Sequence, residues 1–116
     1  MIAARRAALA ELLSTVDGVQ GHLRQPGAAR PGDAWPVWGA LERGPGDAYL
    51  STWRVIVVLP GDRADRAEAW IDTYLSDLVD TIDEHEDGGF VDRVEPVLVP
   101  IDTGDSPALQ ITLRTE

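Results

Sequence analysis

The sequence predicts an α+β fold, a mixed and mainly antiparallel sheet of about five strands packed against two helices in the order αβββαββ. Three observations predict it. Between Ala67 and Ile82 apolar residues recur every three or four positions, the period of an amphipathic helix. Runs rich in Val, Ile, Leu and Trp, bounded by Pro, Gly, Asp and Ser, recur at Trp35–Arg43, Tyr49–Leu59, Phe90–Val99 and Leu109–Arg114. Gly44-Pro45-Gly46-Asp47 joins two of those runs through turn residues, which makes them antiparallel neighbours.

The first helix is expected from Ile2 to Thr15, with Ile2, Leu9, Leu12, Leu13 and Val16 on one side and Asp17-Gly18 as its stop. Its many alanines suit close approach to another backbone, although Ala is also the best helix former. A short strand over Val19–Arg24 leads into QPGAARPGD, whose two Pro-Gly pairs predict an irregular, mobile loop. In the next strand, Trp35, Val37 and Leu41 alternate against Trp38 and Ala40, and Pro36 removes a ladder donor, as at an edge or entry position. Trp35 and Trp38 are three apart, so they point to opposite faces.

The strand from Tyr49 starts with the polar Ser51, Thr52 and Arg54 and turns apolar on both faces through Val55, Ile56, Val57, Val58 and Leu59. Its second half therefore belongs at the centre of the sheet. The second helix carries the stripe Ala67, Trp70, Ile71, Tyr74, Leu75, Leu78, Val79 and Ile82. Asp65 and Glu68 read as a capping box, Asp62 is a competing start, and Gly88-Gly89 is the stop. The last two strands, Phe90–Val99 and Leu109–Arg114, are joined by PIDTGDSP, which predicts a hairpin with a long tip.

With 116 residues, 44% apolar and 26% charged, the chain is expected to form one core in one domain, and it shows no internal repeat. The longest apolar run, Val55–Leu59, is far below the ~20 residues of a membrane span, and the opening MIAARRAALAELL is short and charged for a secretory signal. A soluble, unexported chain is the expectation. Cysteine is absent, which excludes disulfides and thiolate metal sites.

Twenty acids against ten arginines give a net charge of −10. The balance is uneven: residues 1–30 hold four arginines and two acids, and the remainder six arginines and eighteen acids. A field of that sign repels phosphates and anionic membranes, so a basic groove for nucleic acid is not expected. The strand-to-helix turn Pro60-Gly61-Asp62 lacks the glycine-rich loop, Lys or Ser that phosphate binding or a nucleophile elbow needs. Ser14, Ser51, Ser76 and Ser106 with two separate histidines, His22 and His85, form no recognisable catalytic pattern. Asp83-Glu84-His85-Glu86-Asp87, with Asp80 one turn away, crowds hard-metal ligands together, but with no second His nearby it reads more simply as a solvated helix end.

Opposite the apolar stripe of the second helix, Asp72, Asp77, Asp80, Asp83, Glu84, Glu86 and Asp87 include no arginine. Such a face either solubilises the chain or presents negative charge to a basic partner, or to DNA that must slide past. Core packing is the default for the tryptophans, with Trp35 or Trp38 suiting an interface anchor, and Arg5 and Arg6 read first as a solvated pair and otherwise as contacts to acids of a neighbouring copy.

Taken together, the Ala-rich opening helix MIAARRAALAELLSTVDGV, the Pro/Gly loop before a Trp-bearing strand, WRVIVVLP leading into RAEAWIDTYLSDLVDTID, and the closing PALQITLRTE resemble one family. The chain resembles, over its whole length, the tail terminator proteins of long-tailed bacteriophages, those of actinobacterial hosts in particular. The resemblance implies a non-enzymatic virion subunit without cofactor. Such a subunit is assembled in the host cytoplasm into a homo-hexameric ring at the head-proximal end of the tail. The ring stops polymerisation of the tail tube protein, meets the head-completion or neck proteins, and lets DNA pass its lumen without specific binding. Under it, Arg5, Arg6, Trp35, Trp38, Arg43, Pro45, Asp47, Asp102 and Asp105 are the expected assembly contacts, drawn from the first helix, the strands and the loops Gln25–Asp33, Gly44–Asp47 and Ile101–Pro107. Asp72, Asp80, Asp83, Glu84 and Asp87 are the expected acidic surface or lumen wall. Competing readings are a neck or head–tail connector, an acidic DNA mimic, and a ferredoxin-like regulatory domain binding a small metabolite, whose βαββαβ order this sequence fits poorly.

Overall fold

The computed structural model describes residues 2–43, 49–61, 63–85, 89–102 and 104–115. The elements follow as α1 (Ile2–Leu13), β1 (Gln20–Gly21), β2 (Asp33–Arg43), β3 (Tyr49–Val58), α2 (Ala64–Glu84), β4 (Phe90–Ile101) and β5 (Gly104–Thr115). They form the expected α+β fold, a five-stranded mixed sheet in spatial order β1-β2-β3-β5-β4 with two helices packed on it. Among the described residues β1 and β2 run parallel, and every other pairing is antiparallel.

β3 is the central strand, and Val55 to Leu59 are buried, as the two-sided apolar run requires. One side of the sheet carries Trp53, Val55 and Val57 of β3 and Leu109, Ile111 and Leu113 of β5. Both helices cover that side: Leu9, Leu12 and Leu13 from α1, and Trp70, Leu78 and Ile82 from α2. A smaller cluster on the other side joins Trp35, Ile56, Val58, Val99 and Ala108. The two tryptophans of β2 therefore do face opposite ways, since Trp35 pairs with Ile56 and Trp38 with Trp53.

Several sequence expectations change. The first strand is only Gln20–Gly21, because α1 lies against it: a Cβ on Gly21 would run into the Ala10 carbonyl oxygen. The close approach expected of an Ala-rich helix occurs at this point and needs a glycine on the opposing strand. Gly21→Ala is expected to lower stability by about 1–3 kcal/mol, read as a lower urea midpoint at unchanged m. Gly18, with φ of 82°, provides the left-handed turn after α1.

The capping box is not formed. Arg63 is the N-cap, with extended backbone and no side-chain cap bond, and Asp65 inside the first turn instead pairs with the Arg63 guanidinium through two 3.0 Å contacts. The competing start, Asp62, lies outside the described residues. The helix closes at Glu84, ahead of the glycine pair.

Most of the expected long tip between the last strands is strand. β4 reaches Ile101, β5 starts at Gly104, and Pro107 pairs with Leu98. Proline is tolerated there because β3 ends opposite Ala108, so Pro107 has no β3 residue to bond through an N–H; its carbonyl accepts from Leu59 N at 3.0 Å. Pro36 is placed by the same logic. The Ala34 carbonyl points towards the β1 side, where it accepts from His22 N, and β1 ends opposite Ala34, so no strand flanks Pro36 on that side.

Candidate assembly surfaces

β2 and β3 extend past the helices. The molecule measures 47 Å in its longest dimension, against about 32 Å for a 21-residue helix, and Leu41, Glu42, Arg43 and Tyr49 at the hairpin end are exposed. Cross-strand register fixes which side chains share a face there: Trp38 stands opposite Trp53, Leu41 opposite Ser51 and Arg43 opposite Tyr49, all on the helix side. Trp38, Leu41 and Tyr49 are 38%, 57% and 50% exposed, against 1% for Trp53 on the same face, so an apolar surface continues outward from the core without cover.

Arginines frame that surface. The Arg43 guanidinium lies 5.4 Å from the Tyr49 ring centroid, and its Nη2 donates to the Tyr49 hydroxyl at 3.0 Å. Arg6 lies 5.9 Å from the Trp53 ring centroid, which brings the first turns of α1 beside the hairpin. Arg5 is adjacent, and its Nη1 is buried with no hydrogen-bond partner. A buried guanidinium nitrogen without an acceptor is uncommon in a finished structure.

The second surface is the outer side of α2, where Asp72, Asp77, Asp80, Asp83 and Glu84 are all exposed. Asp83 also accepts a hydrogen bond from Val91 N at 2.8 Å, tying the end of α2 to β4. The cations of α2 sit at its start: Arg63, held by Asp65, and Arg66. Asp77, Asp83 and Glu84 lie three or four positions from Asp80, so like charges are stacked along the last two turns.

The expected contact residues thus divide. Arg5, Arg6, Trp38 and Arg43 come together at the hairpin end. Asp102 and Asp105 are exposed at the opposite end of the sheet, at the β4–β5 turn. Trp35 is 4% exposed, inside the smaller cluster on the far face. Pro45, Asp47 and Asp87 lie outside the described residues.

The Pro/Gly loop, expected to be mobile, is fastened across that far face. Gln25 Nε2 donates to the Pro100 carbonyl at 2.8 Å, Gly32 N to the Val58 carbonyl at 2.8 Å, and Ala29 packs on the Trp35 cluster. At its base the nearly buried Asp33 carboxylate takes His22 Nε2 at 2.9 Å and Arg30 N at 2.8 Å. Sequence reasoning missed this pair, which lies eleven positions apart and which only the parallel β1–β2 register brings together. His22 and Asp33 border an open cleft of about 610 Å³ with Gln20 and Arg30. The hydroxyls nearest in sequence are engaged elsewhere, Thr15 Oγ1 donating to the Leu12 carbonyl and Ser14 Oγ bonded to the backbone of Ala10 and Gly21, and the His22–Asp33 pair clamps the loop.

Among the described residues no three His, Asp or Glu side chains converge to hold a metal, and no helix is long and apolar enough to cross a membrane. The chain matches no protein-family model, and no curated protein or solved structure shows significant similarity to it.

Proposed function

We propose that this protein is a structural subunit of a phage tail, of the tail terminator kind, which closes into a ring at the head-proximal end of the tail tube, halts tube growth and joins the tail to the head or neck. The observation that carries the reading is a pair of unlike surfaces on one chain, an arginine-framed aromatic patch at the hairpin end and an acidic outer face on α2. A ring built by rotation needs two different complementary patches on each subunit, whereas a two-fold dimer needs only one. The resemblance of the whole chain to tail terminators supports the same reading. In this role the protein has no catalytic residues and no cofactor. Its net charge of −10 keeps DNA phosphates from adhering as they pass.

The decisive assay is tube polymerisation. When a cognate tail tube protein polymerises in vitro, addition of this protein is expected to cap the tubes and shorten them in proportion to the amount added, as read by negative-stain microscopy. Unchanged tube lengths at stoichiometric excess, with no density at either tube end, would contradict the reading. Binding to head-completion proteins without binding to tubes would favour a neck connector instead.

A further inference from the structure

We infer that the hairpin patch of one copy, Trp38, Leu41, Tyr49, Arg5 and Arg43, seats on the acidic outer face of α2 of the next copy. This contact rests on the ring reading above and names the two surfaces that would build it. Trp, Tyr and Arg are the residue types that dominate interface energetics when an aromatic anchor is desolvated by a partner. Here two aromatic side chains and a leucine are exposed together beside three arginines. Arg5 and Arg43 bring positive charge to the patch, and the exposed carboxylates of Asp72, Asp77 and Asp80 on α2 offer oxygens of opposite charge. Half-buried Leu75 and Val79 border those acids and give the aromatic rings apolar surface to meet.

Position excludes the simpler alternatives. The patch spans β2, the start of β3 and the first turns of α1 at the hairpin end, whereas α2 packs towards β4 with its acids on the outer, exposed side, so one copy cannot close the contact on itself. A two-fold arrangement of patch on patch would set arginines against arginines. Patch on helix, repeated head to tail, satisfies both surfaces and leaves each copy ready for the next. Another partner with an acidic, leucine-bearing helix would meet the same chemistry, but this chain already carries one at the required edge.

The test is a charge swap. Arg5→Glu/Arg43→Glu and, separately, Asp72→Arg/Asp80→Arg are each expected to weaken self-association at least about tenfold. Neither variant replaces an apolar side chain of the core, and because Arg5 is half-buried, thermal melts check that both fold. Mixed in equal amounts they are expected to regain assembly, because each reversed patch now meets a reversed helix, with strict alternation of the two masses in native mass spectra. All species are measured with and without tail tube protein. If both variants assemble like wild type, or the mixture is not rescued, the contact is wrong while the ring reading stands. Loss of tube binding by the patch variant with self-association unchanged makes the tube protein the occupant and overturns the contact. A wild type that is monomeric in both arms overturns the ring reading and the contact with it. If either reversal fails to melt cooperatively, a cycle of Arg43→Ala and Asp80→Ala decides: coupled effects on association support the contact, and additive ones refute it.

Discussion

Trp53→Ala is expected to remove about 3–5 kcal/mol of stability, the usual effect of truncating a fully buried aromatic. Trp53 is 1% exposed on the central strand, paired with Trp38 on one side and Leu113 on the other, with Arg6 over its ring. Truncation opens a void beneath α1 that neighbouring side chains, already in contact across two strands, cannot fill without moving the helix. Against a typical total of about 5–15 kcal/mol, such a loss brings the chain close to unfolding at 37 °C. Urea denaturation followed by far-UV circular dichroism measures it. Trp38→Ala is the informative comparison, since Trp38 is 38% exposed on the same face. Its effect on the free subunit is expected to be well under half that of Trp53→Ala, and a loss equal to it would mean that Trp38 belongs to the core rather than to an interface.

Leu78→Ala is the second large effect, about 2–5 kcal/mol. Leu78 is 0% exposed, midway along α2, in the cluster that includes Leu109, Ile111 and Leu113. The outer face of α2 repels itself, so burial of this stripe is what holds the helix in place. Loss of Leu78 should therefore weaken protection of α2 amides in hydrogen exchange more than that of β3 amides. Equal loss throughout would indicate that α2 and the sheet open only together.

α2 was legible because an amphipathic period repeats over more than four turns, and β3 because a run that is apolar on both faces can only be central. The hairpin of β2 and β3 followed from its turn residues. The errors lie where a neighbour overrides local preference. β1 shrinks because Gly21 must pass close to Ala10, Asp65 turns to Arg63 instead of capping α2, and Ser106-Pro107 become strand because β3 has already ended opposite them. The candidate assembly surfaces were half legible. Arg5, Arg6, Trp38 and Arg43 could be nominated by residue type, but only the direction of α1 and the register of β2 on β3 bring them to one end. The same register buries Trp35, which residue type alone could not separate from Trp38.

Native mass spectrometry over a concentration series, with and without the tail tube protein that the proposed function requires, tests the central claim most directly. A ring-sized species, expected to be a hexamer and appearing either alone or only when tube protein is present, is the predicted result. A fixed dimer or a monomer that is indifferent to both concentration and tube protein would contradict it.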